Sequence, residues 1–345
     1  MIYLGVNLLV MIKINSFIYS YDNKFIKNLK RRFVKFDFSE KINETLNTES
    51  IKGISYNVDI SLRKKILIHI KNSIINEQLL YFDIWQMRKF HKKLSKIYAA
   101  NNKDLKKDIA FLKLLEKLFN YSNFRSKHSS NLACICPIRT CYYCNTIHTA
   151  RSIQGEKIYF EFDHYLPKSI YPYFSASYKN LIPSCSNCNK AKRAADPFYS
   201  DKYIPYPYDT FFNRSLNEQI NFKYKLENSS LVQRINGNRS INLCIDINPG
   251  YPKNVILYLK KFGIENLILF HNYIINELVD NVVIYSTILV DNEKEDVYKE
   301  LFQNNSDIFR FVFGVEKNRD LILNRPFGKL LYDLAIDLSS YWNVL

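Results

Sequence analysis

Chain breakers are scarce. Eight glycines and ten prolines in 345 residues leave long uninterrupted stretches, which favours helices joined by short turns. No hydrophobic run is long enough to cross a bilayer: the apolar opening MIYLGVNLLVMI covers twelve residues and has no basic segment ahead of it. A secretory signal or membrane helix is therefore not expected. Met11 offers a second start, from which MIKINSFIYS reads as a first strand. Repeats and low-complexity tracts are missing as well. Disorder and fibrous assembly are not expected, because 47% of the residues are apolar and 24% charged, and the length suffices for two or three domains.

Acidic residues run short in one part only. Residues 1–140 hold 26 Lys and Arg against 11 Asp and Glu, residues 141–200 hold 7 against 4, and residues 201–345 hold 16 against 18, for a net charge of +16. Codon bias would act on the whole chain, so the asymmetry points to a phosphate-rich partner for the N-terminal part, where Lys and Arg release counterions on binding. Well-solvated helix faces are the plain alternative. With no export signal expected, the seven cysteines belong to a reducing, cytoplasmic compartment, where paired spacing reads as metal binding.

From about residue 20 to 130 the pattern is helical. In ISLRKKILIHIKNSIINEQLL (60–80), Ile66, Ile70 and Ile74 recur every four residues, and WQMRKFHKKLSKIYAA and KDLKKDIAFLKLLEKLF are further basic amphipathic helices. Their aromatic residues, at helical spacing, read as core. YIPYPYDTFF (203–212) reads as an extended connector, since each proline pushes the preceding residue out of helix. INFKYKL and INLCIDI then read as strands, with Cys244 in the core. NVILYLKKFG reads as a helix stopped at Gly263, and PFGKLLYDLAIDLSSYW as a last helix.

The chemistry lies between residues 134 and 210. Cys141-x2-Cys144 and Cys185-x2-Cys188 are two knuckles able to give four thiolates to one structural Zn²⁺, leaving no open position for water. Cys134 or Cys136 is an alternative to Cys141, and His148 reads as a surface residue. KIYFEF (157–162) alternates as a half-buried strand and delivers Asp163 and His164. A short helix over 184–195 would carry Cys185 and Cys188 on one face, with Asn189, Lys192 and Arg193 on the adjacent one. Zinc would pin that helix against the strand end. Asp163 and Asn189 offer hard oxygen donors suited to Mg²⁺ or Mn²⁺, His164 can take a proton from an attacking water, and Lys192 and Arg193 can hold flanking phosphates. Lys168, just past the Asp-His pair, is a further candidate DNA contact. Asn180 is either a loop cap or part of the chemistry.

The string Asp163-His164-x2-Pro167, Asn180-Leu181 and Cys185-x2-Cys188-Asn189-x2-Lys192 resembles the HNH endonuclease family. The resemblance covers roughly residues 134–200. It implies a ββα-metal fold with a cysteine-bound zinc, His164 as general base, and Asn180 ordering the loop that orients it. Asn189 stands where many members carry a second His, so this would be the HNN form with Asn189 as metal ligand. The longer string FDHYLPKSIYPYFSASYKNLIPSCSNCNKAK is similar to HNH proteins of bacterial anti-phage defence, including the nuclease subunit of Septu-type systems, which works beside an ATPase.

The expected architecture is α+β and mainly helical: a basic helical region (1–133), a central ββα-metal module (134–210) and a mostly helical C-terminal region (211–345). The expected function is metal-dependent cleavage of DNA in defence or restriction. The rivals are an RNA nuclease acting on a substrate such as tRNA, and a catalytically silent zinc-dependent nucleic-acid-binding scaffold.

Overall fold

The structure, a computed structural model, describes residues 27, 58–76, 78–126, 133, 139–150, 157–198, 204, 206, 220–225, 242–247, 252–289, 302 and 305–342. The strand reading of 11–20, the alternatives Cys134 and Cys136, and most of the connector at 203–212 lie outside the described residues. The fold is α+β and mainly helical, with two small antiparallel sheets of two strands each among the described residues. Two compact units are present, one within residues 14–136 and 151–202, the other within 137–150 and 203–345.

The first unit begins with helices α1 (Ile60–Ile75), α2 (Gln78–Tyr81), α3 (Ile84–Ala99) and α4 (Ile109–Phe119). Ile66, Ile70 and Ile74 are buried along α1 as their spacing requires. Each main helix start has a capping carboxylate: Asp59 for α1, Asp83 in a reciprocal box with Gln86 for α3, and Asp108 for α4. Asp108 does more than cap. Its carboxylate also accepts from Arg63 Nε at 2.8 Å, from Arg63 Nη2 at 2.7 Å and from the Tyr98 hydroxyl at 2.8 Å, tying α1, α3 and α4 together. Burying these charges is tolerable because each is paired and hydrogen-bonded.

Strands β1 (Glu161–His164) and β2 (Leu181–Ser184) pair antiparallel, and α5 (Ser186–Lys192) follows at once, giving a ββα unit. The strand begins later than its alternation predicts. Residues 159 and 160 bend, and the ladder with β2 begins at Glu161, opposite Ser184. Asp163 and His164 therefore lie inside the strand and not beyond it. The predicted helix over 184–195 is likewise shorter, closed by Arg193 at φ +52°.

The loop between β1 and β2 is laid onto the helices of the same unit. His91 Nδ1 meets the Tyr173 hydroxyl at 2.6 Å, and Ser177 Oγ donates to the Leu79 carbonyl at 2.7 Å. Tyr171 donates to Asp196 at 2.8 Å, and Asp196 is paired with Lys106 at 2.5 Å. These ties explain why a loop rich in aromatics holds one shape: Tyr171, Tyr173 and Phe174 are all buried.

The second unit holds β3 (Ile220–Lys225) paired with β4 (Asn242–Ile247), and helices α6 (Pro252–Phe262), α7 (Ile264–Phe270), α8 (Asn272–Leu289), α9 (Asn305–Phe313) and α10 (Gly328–Trp342). Cys244 lies on β4 opposite Lys223. Gly263 separates α6 from α7 at φ +61°, a conformation that favours glycine. The Cys141–Cys144 turn belongs to this unit. Asn145 Nδ2 donates to Thr140 Oγ1 at 2.8 Å while its Oδ1 accepts from the backbone of Lys329 at 2.8 Å, so the turn is anchored on the first residues of α10. Among the described residues no single helix is long and apolar enough to cross a membrane; one pair, Ile264–Phe270 with Asn272–Tyr285, reaches that length and composition only across a 59° bend.

Candidate functional site

The ligand atoms of Cys141, Cys144, Cys185 and Cys188 all lie within 4.8 Å of one another, and all four side chains are buried. None is in a disulfide. This is a donor set for one tetrahedral Zn²⁺, and it leaves no position for a reacting water. Local hydrogen bonds orient two of the sulfurs: Cys188 N–H donates to Cys185 Sγ at 3.5 Å, and Thr146 Oγ1 donates to Cys144 Sγ at 3.1 Å. Cys185 caps α5 and Cys188 sits within it, so a metal bound by the four sulfurs would hold this helix at two points. Among the described residues it is the one converging group of three or more His, Cys, Asp or Glu side chains. His148, exposed and 3.3 Å from the Arg139 carbonyl, has no part in it.

His164 ends β1 opposite Leu181. Its Nε2 lies 3.0 Å from the Ser175 carbonyl oxygen, which can only accept. The neutral ring must therefore carry its proton on Nε2, leaving the lone pair on Nδ1. Burial pushes its pKa down to about 3, with Lys168, Lys192 and Arg125 adding charge repulsion against the Ser175 bond, so the ring is neutral at physiological pH. The edge of Tyr121 packs against it, ring centroids 4.3 Å apart.

Asn180 holds the loop that supplies that carbonyl. Its Oδ1 accepts from Leu166 N at 2.7 Å, and its Nδ2 donates to the Leu166 and Phe174 carbonyls at 3.2 and 3.0 Å. One buried amide thus ties residue 166 to residue 174, immediately before Ser175. Of the two sequence readings for Asn180, the geometry is that of a loop clamp one step removed from the imidazole.

Asp163 and Lys192 form a pair that spacing alone did not foresee. Lys192 Nζ lies 3.0 Å from Asp163 Oδ2 and donates to the His164 carbonyl at 2.6 Å. The lysine side chain is fully buried and its pKa is lowered, chiefly by burial. Lys192, expected to hold a flanking phosphate, is enclosed between strand and helix, where its ammonium faces a carboxylate and a carbonyl. Arg193 and Lys168, by contrast, are exposed. Lys168 sits 3.7 Å from Glu116 and 6.0 Å from the centre of the Tyr121 ring.

Asn189 is half-buried on α5, and its Nδ2 donates to Glu161 Oε2. Ser186, one turn earlier, donates to Glu161 Oε1 at 3.1 Å. Glu161 was missed in the sequence, though a signal existed: the alternation that puts Phe160 and Phe162 on one side puts Glu161 and Asp163 together on the other. Tyr121 and Arg125 were missed for a different reason. They come from a helical stretch 43 and 39 residues before His164, and no local pattern links them to it.

The site is thus a four-sulfur centre beside a ββα unit that carries an oriented imidazole, a carboxylate and an amide. Over 56 residues the chain is 38% identical to the Septu protein PtuB of Bacillus thuringiensis, a match covering 16% of this chain. The chain spans about a fifth of the length of that curated relative, 20%. No family model matches the chain. No solved structure matches it either.

Proposed function

We propose that the chain is a metal-dependent HNH-type endonuclease that hydrolyses phosphodiester bonds in DNA. The carrying observation is the orientation of His164: with Nε2–H held by the Ser175 carbonyl, Nδ1 is the lone-pair end of the ring. Asn180 keeps that carbonyl in place through the loop it clamps. Asp163 and the Asn189 carbonyl supply hard oxygen donors, and one or two protein ligands are what Mg²⁺ usually takes. A Mg²⁺ or Mn²⁺ held there would neutralise charge developing on the phosphate and its leaving oxygen.

In this reading His164 Nδ1 accepts a proton from the water that attacks phosphorus. Lys192 holds Asp163 in register, while Arg193 and Lys168 contact flanking phosphates. The excess of Lys and Arg in residues 1–140 anchors the strand through its backbone. The zinc-bearing module spans residues 134–210. Likeness to a Septu protein supports a role in anti-phage defence, with an ATPase as partner chain, as the sequence resemblance implies.

The test uses the zinc-loaded full chain with supercoiled plasmid and with structured RNA, with and without Mg²⁺ or Mn²⁺, comparing wild type with His164→Ala. Both proteins should bind DNA, and only wild type should cut it when metal is added. Equal cutting by the two refutes the base assignment. Cleavage of RNA alone moves the substrate to the rival class, and tight binding without cleavage by either leaves a non-catalytic scaffold.

A further inference from the structure

An asparagine side chain has two unlike ends. The carbonyl oxygen can ligate a divalent cation, whereas the NH₂ group, which has donors only, cannot. Rotation about one bond exchanges them, so an asparagine that must present oxygen needs a neighbour that recognises nitrogen. Asn189 has one: Glu161, two residues before Asp163 on β1, accepts from its Nδ2.

Glu161 is itself held. Ser186 Oγ donates to its second carboxylate oxygen at 3.1 Å, and Ser186 and Asn189, three residues apart on α5, clasp the carboxylate between them. The backbone of Glu161 is paired with Ser184, whose Oγ lies 3.4 Å from the Glu161 carbonyl. A carboxylate accepting from an amide forms a charge-assisted bond and rejects the flipped amide, which would set oxygen against oxygen.

We infer that Glu161 is the positioning residue for Asn189: it fixes the amide with nitrogen toward the strand, so that Oδ1 is the end offered to the divalent cation beside Asp163. The inference rests on the nuclease reading and adds to it a residue that acts through the ligand and does not touch the metal. It differs from direct ligation by Glu161, which makes another prediction for a charge-neutral substitution. Gln in place of Glu161 keeps an oxygen that accepts from the Asn189 amide; Ala keeps none.

The experiment titrates Mn²⁺ into the zinc-loaded full chain by calorimetry for wild type, Glu161→Gln and Glu161→Ala, with zinc content and thermal unfolding measured on the same samples. Glu161→Ala should weaken Mn²⁺ binding at least about tenfold, the usual size of losing a partner that orients a ligand, and Glu161→Gln should stay within about threefold of wild type. Asn189→Asp presents two equivalent oxygens, so adding Glu161→Ala to it should cause no further loss. Equal binding by wild type and both single variants overturns the inference, as does an equal large loss in both, which would make Glu161 a ligand. Binding and cutting by wild type distinguish this failure from failure of the nuclease reading. A wild type that binds no Mn²⁺ ends both.

Discussion

The ammonium of Lys192 lies 3.0 Å from the carboxylate of Asp163, with their side chains 0% and 6% exposed. A strand residue and a helix residue 29 positions apart thus share a closed ion pair within the ββα unit, and this charge pair holds α5 to β1.

Lys192→Met should therefore act on folding first. Removing one member of a buried pair strands the other, a loss of about 3–5 kcal/mol. Urea unfolding would measure it, and Asp163→Leu added to Lys192→Met should recover much of the stability without restoring cleavage. A Lys192→Met protein as stable as wild type would show that the pair is not closed in solution.

Zinc should be needed for the shape of α5. Stripping it with a strong chelator, or Cys188→Ser, should lower the melting temperature and abolish cleavage together, since α5 also carries Asn189. Metal analysis alongside the assay checks this, and full activity in a demonstrably zinc-free sample would contradict it.

Acid should weaken the fold through His91. Burial, with Lys106 adding repulsion, holds its pKa down to about 4 against an ordinary 6.5, while Asp196 and Asp104 pull the other way. A depressed histidine pKa means that the unfolded chain binds the proton first. The stabilisation is whole above pH 6.5 and is lost as pH falls toward 4, on the order of 3 kcal/mol. Unfolding free energies measured from pH 7 to 4 should drop less steeply for His91→Gln than for wild type. Parallel curves would refute the assignment.

The exposed cations should behave differently from Lys192. Lys168→Ala and Arg193→Ala should each leave stability within about 0.5 kcal/mol, as surface changes do. Each should reduce the slope of log affinity for DNA against log salt by about one, the signature of one lost phosphate contact. Fluorescence anisotropy across a salt series reads this directly, and an unchanged slope would remove that residue from the interface.

Much of the site was legible because its chemistry is written at short range. Paired cysteine spacing, the adjacent Asp163 and His164, and the Asn189 that follows Cys188 all lie within single elements, so spacing and the positions of β1 and α5 give most of the geometry. Helices α1, α3, α4, α6 and α10 were readable from apolar spacing for the same reason. Strand and helix ends were not: β1 stops where its partner stops, and Arg193 ends α5 by its own backbone conformation. Lys192 misled because lysine is ordinarily a surface residue, and only a carboxylate arriving from a distant strand allows it inside. Tyr121 and Arg125 could not be read at all, since their relation to His164 is made by packing and not by sequence distance.

The clasp of Tyr173 by His91 and of Ser177 by Leu79, with Tyr121 against His164, bears on portability. A fragment trimmed to residues 134–210 would keep every motif residue yet leave behind the helices that hold its loop in shape. Transplanting the candidate site into another protein would require carrying over residues from 58 onward, and swapping upstream helices between homologues would be expected to retune the imidazole without altering a single motif position.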